Sequence, residues 1–165
     1  MKYIVAIVIV AVITAVAVYH WKRYQKYGTV TIDIFPNPAI LGQETSITAS
    51  FERGIQEGDD VTAVLYCEER TWKIYTDDSD QQDHMQEVKI LWKKEQSLPV
   101  QLSPQGQQVV FQATIPFDQP QSTGKIAEPL SSFKSVEPEI AWVVKFHPPG
   151  ESEHSGFEFD ITVQK

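Results

Sequence analysis

The residues best suited to chemistry lie between Tyr66 and His84, in the stretch YCEERTWKIYTDDSDQQDH. It contains the only cysteine of the chain, two adjacent glutamates, four aspartates and a histidine. A thiol near a histidine can act as a nucleophile, and clustered carboxylates can bind a hard cation or transfer protons. The alternative interpretation is that the stretch forms two strands and the loop of a hairpin.

The position of Cys67 favours a structural role. Its side chain has the same parity as Val61, Ala63 and Leu65, so we predict that it points into a core. A buried thiol behaves as a small apolar group, whereas a nucleophilic thiol needs access to solvent and a lowered pKa. None of the four histidines lies in a recognisable catalytic pattern. They are His20, His84, His147 and His154.

The two glutamates are poorly placed for acid–base catalysis. Glu68 and Glu69 are adjacent on a predicted strand, so their side chains point to opposite faces. A zinc site is also disfavoured, because there is one cysteine and no close pair of histidines. The chain contains neither a phosphate-binding glycine loop nor a G-x-S-x-G motif. We therefore expect no catalytic residue and no cofactor.

The aspartates do not follow a calcium-binding pattern. They are Asp77, Asp78, Asp80 and Asp83. In an EF-hand loop starting at Asp78, the fifth position would be Gln82 and the sixth would be Asp83, where a glycine is required. We predict no metal site and interpret the segment as the solvated tip of a hairpin.

The charge of the chain is unevenly distributed. The net charge is −8, but the first 28 residues carry four basic side chains and no acidic one. The remaining residues carry ten basic and 22 acidic side chains. Such an acidic domain repels phosphate backbones, so nucleic-acid binding is disfavoured. A single cysteine also excludes a disulfide within the chain and agrees with a reducing compartment.

The N-terminal segment predicts a membrane anchor. Residues 3–19 read YIVAIVIVAVITAVAVY and are followed by the basic residues Lys22, Arg23 and Lys26. As a helix the run is about 26 Å long, near the lower limit for crossing a bilayer. Tyr3 at one end, and Tyr19, Trp21, Tyr24 and Tyr27 at the other, resemble interfacial aromatics. We interpret residues 1–27 as a transmembrane anchor with a basic juxtamembrane segment, and the positive-inside bias favours a cytoplasmic domain.

A cleaved signal peptide is the alternative for this segment. AVA at positions 15–17 has the small-residue spacing that signal peptidase prefers, and Lys2 supplies a positive start. However, the apolar run continues through Val18 and Tyr19 without a polar region before the cleavage point. Retention of the segment is the favoured prediction.

Residues 28–165 predict an all-β domain. Apolar side chains alternate with polar ones in many short runs, which are separated by turn sequences such as FPNP, EGDD, SPQG and HPPG. This pattern is typical of an antiparallel β-sandwich of the immunoglobulin or arrestin-like class. The alternating positions are Val30, Ile32, Ile34; Ile47, Ala49, Phe51; Val61, Ala63, Leu65, Cys67; Val88, Ile90, Trp92; Val109, Phe111, Ala113, Ile115, Phe117; Ile140, Trp142, Val144, Phe146; and Phe157, Phe159, Ile161, Val163.

One connection is unusually long. The segment DQPQSTGKIAEPLSSFKSVEP at 118–138 exceeds the length at which structureless loops become uncommon. Its apolar side chains are Ile126, Leu130, Phe133 and Val136. They either cap an open end of the sandwich or dock a protein partner, and we keep them as candidate partner-binding residues.

Several short motifs recur along the chain as an ordered set. They are Tyr27-Gly28, Gly58-Asp59, Cys67, Leu91-Trp92, Glu95-Gln96, Pro116 through Asp118, and Trp142. Together they resemble a group of bacterial membrane proteins in which an arrestin-like β-sandwich follows a membrane helix, and the similarity covers roughly residues 20–165. The segment after Phe117 is longer than the group leads us to expect. The resemblance implies attachment to the bacterial inner membrane and an adaptor or binding role, and it brings no catalytic residues.

These observations leave three function classes. The first is a single-pass membrane protein that contacts the bilayer through residues 3–19 and binds a protein partner through its β-sandwich. The second is an exported envelope module that binds a ligand or a glycan. The third, an enzyme using Cys67 and a histidine, is disfavoured because no base is placed beside the thiol.

Overall fold

The described part of the chain contains one N-terminal helix followed by ten β-strands, as seen in a computed structural model. It covers residues 2–76, 82–104, 106–123, 138–151 and 155–165, with the side chains of 2–7, 73–76 and 82–84 left out. The helix is α1 (Lys2–Tyr27). The strands are β1 (Val30–Phe35), β2 (Ala39–Ile40), β3 (Glu44–Phe51), β4 (Asp60–Thr76), β5 (Gln82–Pro99), β6 (Gln101–Ser103), β7 (Gly106–Thr114), β8 (Glu139–His147), β9 (Phe157–Ile161) and β10 (Val163–Gln164).

The strands form two four-stranded antiparallel sheets. The first sheet has the order β1-β3-β7-β6, and the second has the order β5-β4-β8-β9. The short strands β2 and β10 pair in parallel. The prediction of a mostly antiparallel all-β domain is therefore confirmed. No α-helix occurs among the described residues after Gly28.

Both sheets contribute side chains to one hydrophobic core, the arrangement of a β-sandwich. The first sheet supplies Ile47, Phe51 and Phe111, and the second supplies Leu65 and Trp142. Each lies at an alternating position of its strand, because every second side chain faces the opposite sheet. The indole Nε1 of Trp142 donates a hydrogen bond to the Pro120 carbonyl at 2.9 Å, which satisfies its buried polar atom.

A β-bulge reverses the face of the sheet to which the side chains in the N-terminal half of β5 point. Cys67 pairs with Trp92, whereas the next residue, Glu68, pairs with Ile90, so Leu91 has no partner on β4. The extra residue reverses the side-chain alternation beyond it. Trp92 packs against the core, but Val88 and Ile90 are exposed. The prediction that all three share the inner face is wrong for Val88 and Ile90.

Phe117 is a second position where the alternation fails. β7 ends at Thr114, so the pleat no longer determines where Phe117 points, and its side chain is 71% exposed. The preceding members of the same run, Val109 through Ile115, are buried as predicted.

The C-terminal turn of α1 is packed against the sandwich. Gly28 ends the helix with a left-handed φ of 66°, and its N–H donates to the Tyr24 carbonyl. Tyr27 is buried between Phe51 and Phe157, at ring centroid distances of 6.4 and 5.3 Å. A side chain at Gly54 would overlap the Lys26 carbonyl, so glycine permits this close approach. Tyr27, interpreted above as an interfacial aromatic, is part of the core.

The outer part of α1 is apolar and exposed. Its described side chains from Val8 to Val18 make no core contacts, and the larger ones are about half exposed. Within the residues that the structure describes, no helix is both long enough and apolar enough to cross a membrane.

Two groups of predicted residues lie outside the described part of the chain. One group is the candidate partner-binding set Ile126, Leu130, Phe133 and Val136. The other is the hairpin tip with Asp77, Asp78 and Asp80. The two strands that flank this tip, β4 and β5, are present and pair with each other, as the hairpin interpretation predicts.

The core leads to a stability prediction with a matched control. Phe111→Ala should lower the free energy of unfolding by about 3–5 kcal/mol, because it leaves a cavity between the sheets. Phe35→Ala, in the same sheet, should change it by about 0.5 kcal/mol or less, since Phe35 is 78% exposed. Chemical denaturation of both variants measures the difference. Equal effects would contradict the assignment of the core.

Candidate functional site

The face of the second sheet that points away from the core is the main candidate site, and we call it the outer face. Strand pairing places its side chains in rows across β5, β4, β8 and β9. One row is Lys93, Tyr66, Val143 and Asp160, and the next is Glu95, Val64, Lys145 and Glu158. Val64 and Val143 are buried although they lie on this face, so neighbouring side chains cover the sheet here.

Arg70 organises a group of carboxylates at one end of the outer face. Its Nε donates to the Glu68 carboxylate. One Nη atom lies 3.6 Å from Oε1 of Glu139, and the other lies 3.8 Å from Oδ1 of Asp160. Glu68 and Glu139 are buried. Burial alone would lower the pKa of Arg70, but the hydrogen bond to Glu68 and the charges of Glu139 and Asp160 outweigh it and raise the pKa. The guanidinium therefore stays charged and holds three carboxylates from three strands together.

Tyr66 occupies the centre of the outer face. Burial, followed by the nearby charges of Glu158 and Glu68, raises the pKa of its phenol above the usual value. Tyr66 is also hydrogen-bonded to Glu158, which lies 3.8 Å from the ammonium of Lys145. The phenol stays neutral at physiological pH and serves as a hydrogen-bonding and packing group.

A groove runs along the outer face from this centre towards the end where α1 is attached. A cavity of about 350 Å³ is followed by a neighbouring one of about 270 Å³, and Val64 and His147 line both. The first is lined by Val64, Tyr66, Glu68, Ile90, Lys93, Lys145 and His147, and the second by Thr62, Val64, Glu95, His147 and Glu151. An apolar floor bordered by charges of both signs suits an amphipathic segment better than a simple ion.

The end of the groove is joined to α1 through Glu151. Its Oε1 accepts hydrogen bonds from the Lys26 ammonium at 2.9 Å and the Tyr27 hydroxyl at 2.7 Å. Burial opposes ionisation, but the hydrogen bonds from Lys26, Tyr27 and Ser155 prevail and lower the pKa of Glu151 to about 2. Nearby, the Arg23 guanidinium lies 3.7 Å from the ring centroid of Phe157. These contacts fix the helix end to the domain.

The residues that the sequence singled out for chemistry are separated. Cys67 is fully buried on the inner face, and burial, with a smaller effect of the Glu68 charge, raises the pKa of its thiol to about 11. Glu68 and Glu69 lie on opposite sides of β4, as predicted, and only Glu68 is buried. His147 lies in the groove, whereas His154 is outside the described residues.

Sequence reasoning missed the residues that organise the site. Arg70, Glu139 and Asp160 are up to 90 positions apart in the chain and meet because β4 pairs with β8, and β8 with β9. The alternation of apolar and polar residues in the sequence predicts that these three side chains point outwards. It does not predict the register in which the strands pair. The junction of Tyr27 with Glu151 had one local signal, a tyrosine directly before the glycine that ends the helix.

Comparisons with known proteins do not place the chain in a family. No protein-family model matches it, and no curated protein matches it. Among solved structures it is similar to the Pseudomonas fluorescens alkylpurine DNA glycosylase AlkC bound to DNA containing an abasic site analog, with 13% sequence identity and a TM-score of 0.30. The match covers 82% of this chain and 30% of that chain. A similarity of this size carries no inference about function.

The Glu151 junction leads to a pH-dependent prediction. A folded-state pKa of about 2, below the ordinary value of 4.5, means that ionised Glu151 stabilises the fold above about pH 4.5 and loses this effect as the pH falls towards 2. Glu151→Gln should therefore cost about 1 kcal/mol at pH 7, and the difference from the unsubstituted chain should shrink below pH 4.5. Thermal unfolding from pH 3 to pH 8 measures it.

Glu57→Gln is the control for this experiment, because Glu57 is exposed. Its melting temperature should follow that of the unsubstituted chain at every pH. A Glu151→Gln variant that is equally destabilised at pH 3 and pH 7 would contradict the role assigned to the carboxylate charge.

Proposed function

We propose that this protein is a membrane-anchored adaptor: α1 holds it in the bilayer through residues 3–19, and the outer face of its β-sandwich binds another protein. The observation that carries the proposal is the groove on the outer face, which combines the apolar side chains of Val64 and Ile90 with a charged border. Protein interfaces have this organisation, with an apolar centre that is desolvated on binding and a polar rim.

The chemistry of the groove favours recognition over catalysis. The phenol of Tyr66 has a raised pKa, and Arg70 remains charged. The thiol of Cys67 lies on the other side of the sheet with a raised pKa. A catalytic group works best when its pKa lies near the working pH. The pKa values of these three groups are raised, further away from neutral pH. These shifts support the proposal of a binding role.

The sandwich belongs, in this proposal, to the immunoglobulin-like or arrestin-like class. The support is the order of the strands. If β1, β3, β4, β5, β6, β7, β8 and β9 are taken as strands A, B, C, C′, D, E, F and G, the two sheets have the orders A-B-E-D and C′-C-F-G. The first is the order of the four-stranded sheet in immunoglobulin domains, and the second is their other sheet extended by C′.

The membrane anchor is supported by the sequence of α1 and by its surroundings. The apolar run starts at Tyr3, and among the described side chains the contacts of the helix with the sandwich come from its last residues, Arg23 to Tyr27. The helix exposes large apolar side chains, among them Val8, Ile9, Val10, Val12 and Ile13. An exposed apolar surface of this kind marks a membrane or protein contact. The basic residues after it favour a cytoplasmic sandwich at the bacterial inner membrane.

A substitution in the apolar run tests the anchor. The double variant Ala11→Arg/Ala15→Arg should move most of the full-length chain from the vesicle-bound to the unbound fraction in a flotation assay, because each central arginine costs about 2.5–3.5 kcal/mol on insertion. The matched control Ala11→Leu/Ala15→Leu should float like the unsubstituted chain. A purified chain whose mass begins at Val18 would overturn the anchor.

Labelling in cells distinguishes the cytoplasmic adaptor from the exported module. Cys67 is buried, so a labelling site has to be introduced at an exposed position such as Thr31. Thr31→Cys should react with a membrane-impermeant maleimide only after the cells are opened. Reaction in intact spheroplasts would favour the exported ligand- or glycan-binding module instead.

The groove itself is tested by photo-crosslinking in native membranes. A photoreactive side chain at Glu95 should form a protein adduct, whereas one at Thr31, on the other sheet, should not. Lys93→Glu should reduce the adduct roughly tenfold, because it reverses a charge on the rim of the groove, where charge complementarity with a partner matters. Lys165→Glu makes the same charge change away from the groove and should leave the yield unchanged. Equal adducts from both positions would contradict the assignment of the surface.

A further inference from the structure

Among the described strands, β5 provides the longest sheet edge. β5 has 18 residues, whereas the other edge strands of the two sheets, β1, β6 and β9, have six, three and five. In the part of the chain that the structure describes, β5 pairs with β4 alone. Long edges are unusual because unpaired N–H and C=O groups recruit another strand.

The two halves of this edge differ. In the C-terminal half, the bulge at Leu91 bends the strand, and Lys94 turns inwards so that its ammonium donates to the Gln112 carbonyl at 3.2 Å. Bulges and inward-pointing lysines are devices that block edge pairing. The N-terminal half exposes Met85, Val88 and Ile90 by 59, 49 and 50%. This half contains no proline, and it extends beyond the part of β4 that pairs with β8.

The sequence of this exposed half is complementary to itself. Glu87, Val88 and Lys89 follow one another, so a second copy running antiparallel with Val88 opposite Val88 brings each Glu87 opposite a Lys89. Opposite charges directly across a strand pair are stabilising. Moving the two-fold centre by one residue places Glu87 opposite Glu87, or Lys89 opposite Lys89, which is unfavourable.

We propose that residues 86–90 of β5 pair antiparallel with the same residues of a second copy of this chain, about a two-fold axis at Val88. The contact continues the second sheet from one copy into the other and covers the exposed side chains of Val88 and Ile90. It is isologous, so one patch serves both copies. Five residues a side make a small interface, and dimerisation is therefore weak and concentration-dependent.

Charge reversal tests this register. Glu87→Lys should place two lysines opposite two lysines, and Lys89→Glu should do the same with glutamates. Each should raise the dimer dissociation constant about tenfold or more. The double variant Glu87→Lys/Lys89→Glu restores the pairing and should dimerise like the unsubstituted chain. An equimolar mixture of the two single variants should form a heterodimer that neither forms by itself.

The measurement is sedimentation equilibrium of the full-length chain in detergent. The two-fold axis places the α1 helices of the two copies at opposite ends of the paired sheets. Detergent is used because it does not require both helices to lie in one bilayer. Circular dichroism and melting temperature control for folding of each variant. A chain that is monomeric at every concentration overturns the proposal. So does a dimer that responds equally to the single and the double variants.

Disulfide formation gives an independent readout of the two-fold centre. Val88→Cys should form an intermolecular disulfide under mild oxidation, because directly opposed residues have Cα atoms within bonding range. Met85→Cys, which is at least as exposed on the same strand, should not, since its opposite residue is Leu91 of the second copy. Equal crosslinking of both variants, or capture of a different protein in place of a second copy, overturns the proposal.

Discussion

The β-bulge at Leu91 is the constraint on which both proposed surfaces depend. Because one residue of β5 has no partner on β4, the side chains before and after it face opposite sides of the sheet. Trp92 then packs at the core, where its ring centroid lies 5.6 Å from that of Trp142. Ile90 lines the groove of the outer face instead. Without the bulge, Val88 and Ile90 would keep the facing of Trp92, and neither the groove nor the exposed edge would have its present composition.

The outer face combines burial and charge in a way that favours specificity. Removing Glu68, Glu139 and Arg70 from water is unfavourable, and the attraction among them offsets that cost only if the geometry is maintained. The three strands that carry the cluster are therefore held in one register.

Much of the fold could be read from the alternation of side chains. The inward positions of β3, β4, β7 and β8, such as Ile47, Cys67, Phe111 and Trp142, are buried as predicted. The errors fall where the period of two is interrupted: at Ile90, before a bulge, and at Phe117, after a strand end. Tyr27 was assigned to the membrane border because it follows an apolar helix, yet its ring packs in the core.

The amino-acid sequence by itself determined where the longer strands lie, which side of most of them is apolar, and where α1 ends, since these depend on neighbours a few positions away. Only the tertiary structure decided which strands lie side by side and in what register. That choice brings Arg70 to Glu139 and Asp160, and Glu151 to Lys26 and Tyr27. Such contacts depend on the packing of the whole chain, because the free energy of burying a charge is set by the partners that surround it.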